Sequence, residues 1–453
     1  MKKPTRIVKL FIAVLVLLGI ATAGWYALVF FESQVTGDRP VYLQVAAPDG
    51  MTLRWGTARS AADTVYYGRS PDHLDEQRVE PESTVSHRLR LEGLQPDTRY
   101  YYRIQHQGKW LQPQADWFVT SPMPGTPRPV RIWLWGDPGK SKAKLPVRDA
   151  GLKWLHDHAQ GRPAYADLIL TTGDNAYPNA TNAEYLRDFF RPYQEILKNI
   201  PLWTVLGNHD ARRWTFYKLF DRPEQAEAGG LASHSEHYFS FDYAQAHFIL
   251  LDNHHYDLSA KTGMTDWLQQ DISQTRQKWV IVLFHHPPYT GGTYDSDNES
   301  HSRGRMKKTR ENLLPVLEKA GVDLVINGHS HVYERSHLIH CHYGLSKTFA
   351  NWMIMDAGKV EAAQRVYEKA KPFASGYTGT MYMVLGSSGE GNKRNIEHPA
   401  LPFTSAKAGS VVMDIDRDTL TSRYITADGS VEDEFRIVKT DTAPKPAMTC
   451  QAN

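Results

Sequence analysis

The chain has 453 residues with 41% apolar types, more than one ordinary core accommodates, so two domains are expected. Its 52 basic and 50 acidic side chains leave a formal charge of +2 with both signs interspersed. No Lys/Arg run outside the N-terminus is long enough to indicate nucleic acid or another polyanion as partner.

Lys2, Lys3, Arg6 and Lys9 precede an apolar stretch that begins at Leu10 and continues almost unbroken to Phe31. At helical rise this stretch can span a bilayer, and the basic flank places the N-terminus on the cytoplasmic side. Residues 1–32 therefore read as a signal anchor. A cleaved signal peptide is the alternative, because Ala21-Thr-Ala23 has the small-x-small form of a cleavage site. Trp25, Tyr26, Leu28, Val29 and Phe31 extend the apolar run past that site and favour the anchor. Either way the body is exported, to a periplasmic or extracytoplasmic location. Cys341 and Cys450 can pair there, tying a C-terminal tail (439–453) to the body, or remain two separate thiols.

Residues 38–122 read as short strands at close spacing, among them Val41–Val45, Met51–Trp55, Thr64–Tyr67, His87–Leu91 and Arg99–Arg103, separated by Gly, Pro, Asp and Ser. Their alternation buries one face, as in a β-sandwich, with Trp55 in the core. Leu94-Gln-Pro-Asp-Thr-Arg-Tyr100 looks like the tyrosine corner of fibronectin type III-like domains. No exposed chemistry is visible in this unit, so a supporting role is expected of it. Residues 123–130, rich in proline, form a stiff linker.

From 131 to 438 the pattern changes to strands alternating with helices, which predicts an α/β domain with mixed sheets. Strands are expected at Val130–Trp135, Leu168–Thr172, Leu202–Leu206, Val280–Phe284 and Leu324–Ile326, with a hairpin from Tyr238–Tyr243 and Ala246–Leu251. Helices are expected at Val147–Ala159, Asn182–Lys198 and Thr309–Lys319. A site belongs at the loops beyond the C-terminal strand ends.

Five short blocks sit there: Gly136-Asp-Pro-Gly139, Gly173-Asp-Asn-Ala-Tyr177, Gly207-Asn-His-Asp210, Val282-Leu-Phe-His285 and Gly328-His-Ser-His331. A single strand-end Asp or His is more often a cap than a ligand. Carboxylates, an amide oxygen and imidazoles from equivalent positions on one sheet, however, suit a pair of metal ions sharing a carboxylate. Ions about 3.5–4 Å apart can clamp a phosphate ester for in-line attack.

These five blocks, in this order, resemble the metallophosphoesterase (calcineurin-like) superfamily, and specifically its purple acid phosphatase branch. The likeness extends through Tyr382–Ser387, and the preceding sandwich is similar to the N-terminal domain of the larger purple acid phosphatases. The wider superfamily has Asp-x-His in the first block. Here Gly139 replaces that histidine, and a tyrosine three residues after the bridging aspartate makes it good. The resemblance implies that Asp137, Asp174, Tyr177 and His331 bind Fe(III). It implies that Asp174, Asn208, His285 and His329 bind a divalent partner, Fe, Zn or Mn. His286 is expected to be only a neighbour, the family pattern being His-x-Pro-x-Tyr from His285 to Tyr289.

The reaction implied is cleavage of a phosphate monoester by a metal-bound hydroxide, as an acid phosphatase, with a small phosphate-ester substrate. The ferric ion's high charge and phenolate ligand would keep the hydroxide available in mildly acidic medium and give a purple charge-transfer band. His209 is assigned to contact the substrate phosphate and donate a proton to the leaving oxygen. Plant-like members carry a further histidine where this chain has Asp295, and His301 from a longer loop is expected to take that place. Two alternatives stay open: a phosphodiesterase or nucleotide-cleaving relative, and a non-catalytic envelope binding protein. Tyr333-Glu-Arg335 reads as structural support. Arg212, Arg213 and Trp214 are placed near the substrate mouth or on a solvated loop.

Overall fold

The computed structural model describes residues 6–32, 37–139, 141–159, 161–162, 165–256, 263–361, 364–370, 378–392, 396–441 and 450. Lys2, Lys3 and most of the expected tail lie outside the described residues. The N-terminal helix, Arg6–Glu32, contains in Leu10–Ala27 a window long and apolar enough to cross a bilayer, and none of that window is buried against the rest of the protein.

Next comes a β-sandwich. One sheet joins Arg39–Ala47, Gly50–Ala61 and Thr84–Glu92. The other centres on Thr64–Gly68 and Arg99–His106, flanked by Glu76–Val79, Lys109–Trp110 and Asp116–Val119. Trp55 is fully buried between them, stacked on His87, with its indole N–H donating to Asp63. The tyrosine corner forms: the amide of Gln95 donates to the Tyr100 hydroxyl at 3.0 Å.

Two larger sheets follow. The first runs in the order Leu202–Thr204, Leu168–Thr171, Val130–Trp135, Gly409–Asp416, Thr419–Thr426, Val431–Thr440, Gln364–Ala370, Lys359–Glu361. The second runs Tyr238–Tyr243, Ala246–Leu251, Trp279–Leu283, Leu324–Asn327, Met381–Leu385, Tyr333–Arg335, Phe403–Ser405. Leu134, Leu170, Phe248, Ile281, Ile326 and Met383 belong to one continuous apolar core between their facing sides, and helices cover the outer faces. Neighbouring strands are parallel from Val130–Trp135 to Leu202–Thr204, and from Ala246–Leu251 to Met381–Leu385. Their C-terminal ends therefore collect at one edge of the domain, where ligand sites of such sheets form.

Two helices depart from the expected regularity. Each widens into one π-type turn, Leu186–Phe190 and Thr309–Leu313, just before a proline, Pro192 and Pro315. Proline withholds an N–H and its ring crowds the carbonyl four residues back, and a widened turn relieves both.

The sandwich is hydrogen-bonded to the second domain's helices. Tyr42 donates to the carbonyl of Leu219, Arg54 to that of Lys218, and Tyr102 to that of Lys198. Cys341 and Cys450 form a disulfide with Cα atoms 5.2 Å apart. The pairing joins the C-terminal segment to the loop after Leu338–Ile339, and with the N-terminal apolar helix it suggests export.

Candidate metal centre

Each of the five blocks carries its polar side chains just past the end of a strand of the parallel core, so these side chains meet at one edge. Asp137, Asp174 and His329 all take the left-handed backbone conformation, with φ of 52°, 49° and 69°. Such strain persists where the surroundings over-determine it, and it clusters at functional sites. Two glycines are required by the crowding. A Cβ at Gly207 would lie 2.1 Å from the amide nitrogen of Asp174, and one at Gly328 would lie 2.4 Å from Asp137 Oδ2.

The Tyr177 hydroxyl lies 3.2 Å from Asp137 Oδ1, 3.3 Å from Asp174 Oδ2 and 3.4 Å from His331 Nε2. On the other side of Asp174, its Oδ2 is 3.3 Å from His285 Nε2, which is itself 3.1 Å from Asn208 Oδ1. Ligand atoms of Asp174, His285 and His329 all fall within 4.8 Å of one another. The seven residues thus form two groups that meet on one carboxylate oxygen.

The outer contacts aim the donors. His285 Nδ1 donates to the carbonyl of Thr172 at 2.8 Å, and His331 Nδ1 is paired with Glu390 at 2.8 Å. Both arrangements turn Nε2 inward, the orientation usual for a metal-binding histidine, which an ion would take up in place of the proton. Backbone amides hold the carboxylates: His329 N donates to both oxygens of Asp137, and His209 N donates to Asp174 Oδ1 at 2.7 Å. Asp210, fully buried, ties the second and third blocks together by accepting from the amides of Asn175 and Gly207 and from the Tyr185 hydroxyl.

Protonation follows from crowding like charges out of water. Burial raises Asp137 well above the carboxylate range, and Asp174 adds to this. Burial works against ionised Asp174 too, but the charge of His285 prevails and holds it low. Burial likewise opposes charge on His285, yet Asp174 pushes it up to about 9. The Tyr177 phenol is raised well above 10 by burial and by Asp174 and Asp137. Two buried carboxylates and a phenol this close are relieved by a cation, and hard oxygens with imidazoles are the donor set that such ions take. The residues fit a pair of metal ions.

Beside the second group opens a cavity of about 340 Å³ lined by Asn208, Arg212, His254, His286, Arg303, Arg305 and His329, among others. His209 stands between the groups, its ring against Tyr177 at 4.2 Å and its Nδ1 bonded to the carbonyl of Pro178 at 2.6 Å. That bond leaves Nε2 available. His301 is turned into its own loop, where its Nδ1 accepts from the amide of Asp295 at 3.0 Å. Tyr294 is the residue stacked flat on His329, at 4.2 Å, and it lies 5.9 Å from His301.

Sequence reading passed over Tyr294, Ser302, Arg303 and Arg305. Ser302, Arg303 and Gly304 are three successive left-handed residues, which turn the loop so that Ser302 Oγ lies 2.6 Å from His329 Nε2. His254 was also missed, although it follows the strand Ala246–Leu251 as the other blocks follow theirs, which is the signal that would have found it.

Residues 130–333 match the family described as calcineurin-like phosphoesterase, and residues 39–120 match the purple acid phosphatase N-terminal domain. Purple acid phosphatase 21 of Arabidopsis thaliana is 27% identical over 314 residues, 65% of this chain and 65% of that one. Acid phosphatase type 7 of Mus musculus is 29% identical over 330 residues, 66% of this chain and 71% of that one. The match to the first plant relatives thus spans just under two thirds of their length. The structure of a purple acid phosphatase from yellow lupin seeds aligns with a TM-score of 0.70 at 19% identity, covering 91% of this chain and 78% of that one. PhoD aligns at 0.62 and 13%, covering 91% and 92%.

Proposed function

Since the chain belongs to the purple acid phosphatase branch of the metallophosphoesterase superfamily, we propose that it hydrolyses phosphate monoesters at a dinuclear metal centre. Asp137, Asp174, Tyr177 and His331 would hold Fe(III), and Asp174, Asn208, His285 and His329 a divalent Fe, Zn or Mn. Ions bound there supply a nucleophile from water and neutralise charge on the phosphoryl oxygens. The observation that carries the reading is the position of Asp174 Oδ2, 3.3 Å from both the Tyr177 hydroxyl and His285 Nε2.

The chain's own groups divide the remaining work. Arg212, Arg303 and Arg305 face the cavity with positive charge that suits a monoester dianion better than a diester. His209, with Nδ1 held by the Pro178 carbonyl and its ring against Tyr177, presents Nε2 beside the centre, and we place proton donation there, from the imidazolium form. His301 is likewise held at Nδ1, by the amide of Asp295, and is the second candidate for this role through its Nε2. Tyr294, flat on His329, shields that imidazole from water.

The test is a visible spectrum with metal quantification on the native protein and on Tyr177→Phe, alongside turnover of mono- and bis-nitrophenyl phosphate. A charge-transfer band that disappears in the variant, with monoester preferred, supports the reading. A band retained by Tyr177→Phe removes the ferric assignment, and diester preference moves the activity to the phosphodiesterase alternative.

A further inference from the structure

A second convergence of donors lies at the neighbouring strand end, outside the centre described above. His237 precedes the strand Tyr238–Tyr243 and Asp252 follows Ala246–Leu251. Because Tyr238 pairs with Leu251, the antiparallel register brings His237 and Asp252 together just past the end of the hairpin. Asp252 Oδ1 accepts from the amides of His254 and His255 at 2.8 and 2.9 Å, which fixes the carboxylate. Its Oδ2 then lies 2.8 Å from His237 Nδ1 and 3.1 Å from His255 Nδ1. A fourth donor arrives from the helix Thr215–Leu219: the Tyr217 hydroxyl is 3.2 Å from His237 Nδ1 and 3.5 Å from His255 Nδ1.

We propose that His237, Asp252 and His255, with Tyr217 or a water as fourth ligand, form a third metal site that takes a divalent ion of the zinc class. The argument is geometric. Tetrahedral bonds of about 2.0–2.1 Å separate neighbouring ligands by about 3.3–3.4 Å. The four donor separations, from 2.8 to 3.5 Å, bracket that edge. Two imidazoles and one carboxylate are a donor set that zinc accepts, and both rings aim the same nitrogen at one point. The carboxylate is buried, with its side chain 2% exposed, and so is held for binding. The His237 and His255 side chains are 37% and 39% exposed, which leaves an ion a way in. Arg222 and Glu236 line the same small cavity as Asp252, so the groups beside the site carry both signs of charge. The cluster around His87 in the sandwich differs: both ring nitrogens of His87 are taken, by Glu80 at 2.6 Å and Thr57 at 2.7 Å.

The site also has a defined neighbour. His254 meets His255 edge-on, with ring centroids 4.9 Å apart, stacks on His286 at 5.3 Å, and lines the substrate cavity. An ion here would pin the helix carrying Tyr217, and the Asp210–Trp214 stretch ahead of it, to the sheet edge beside that cavity.

The experiment compares metal content of the purified full-length protein with that of His255→Ala and of Tyr217→Phe, after equilibration with zinc and removal of free metal. His255 is half exposed, so its replacement leaves the fold intact, and Tyr217→Phe keeps the ring packing. Wild type should retain about one zinc equivalent more than His255→Ala, and Tyr217→Phe should release that equivalent at a lower chelator concentration. Cobalt loading gives a second readout: a tetrahedral visible difference spectrum between wild type and His255→Ala. Equal zinc content and superimposable cobalt spectra would overturn the proposal. The comparison is a difference between wild type and variant, so failure of the dinuclear assignment would lower both totals without erasing it.

Discussion

His247 offers the most direct link between one ionisation and the stability of the fold. It sits on the strand Ala246–Leu251, paired across the hairpin with Asp242, with Nδ1 2.9 Å from Asp242 Oδ1. Its Nε2 is 2.7 Å from Asp271 Oδ2 on the helix Gly263–Gln274, so one imidazolium joins the hairpin to the helix that covers it. Burial by itself would depress its proton affinity, but the hydrogen bonds to Asp242 and Asp271 prevail and raise its pKa to about 9, from 6.5. The folded protein therefore binds this proton more tightly than the unfolded chain does. The stabilisation is complete below pH 6.5, declines between there and about 9, and is absent above. Its size at full protonation is about 3 kcal/mol, an upper value because it converts the whole change in proton affinity. Urea unfolding of the metal-free protein at several pH values, with wild type and His247→Gln side by side, measures it. The wild-type advantage should shrink by about 3 kcal/mol between pH 6 and 9.5. An advantage that does not change with pH would refute the reasoning, because a neutral glutamine can replace the hydrogen bonds but not the charge.

Four further outcomes are expected. His209→Ala should lower kcat by about 100-fold with poor leaving groups and much less with nitrophenyl phosphate, since only the former need a proton. His301→Ala, by contrast, should affect both substrates equally and weakly, and a selective loss with poor leaving groups would return the acid role to His301. Arg303→Ala should raise KM for a monoester by about tenfold through the lost charge-assisted contact, which steady-state kinetics reads directly. Replacing Cys341 and Cys450 by serine opens a loop spanning a sequence separation of 109 residues, and chain entropy sets the loss at about 4–5 kcal/mol, measurable as a lower unfolding midpoint.

Local pattern carried a good part of the architecture. The hairpin Tyr238–Tyr243 with Ala246–Leu251 was legible to the residue, because its apolar runs are bounded by a two-residue turn, Ala244-Gln245. The position of the five blocks was legible for a related reason: each ends a short, mostly apolar run bounded by turn residues, the pattern of a buried strand. The widened turns before Pro192 and Pro315 were not, since a proline inside the expected helices Asn182–Lys198 and Thr309–Lys319 says that the ladder is interrupted but not that the chain continues through a wider turn. The strands from Gly409 to Thr440 were not placed individually either. Their alternation says that they pair, but not that Gly409–Asp416 inserts beside Val130–Trp135, a partner far back in the chain. The cavity wall was hidden for the same reason. Arg303 and Arg305 stand in a polar loop whose sequence reads as solvated, and only the left-handed turn at Ser302–Gly304 brings that loop over His329.

The bonds between the sandwich and the second domain bear on how the two parts share a fate. Tyr42 and Arg54 engage the last carbonyls of the helix that supplies Tyr217, and Tyr102 does the same for the helical run ending at Leu197. Carbonyls at a helix end have no partner within the helix, so here the neighbouring module supplies the cap. The sandwich is then less an appendage than a splint set against the wall of the cleft. Without it these helix ends would fray toward the loop that carries Arg212, and the phosphoesterase domain, whose apolar core runs on into the sandwich, would be hard to transplant alone.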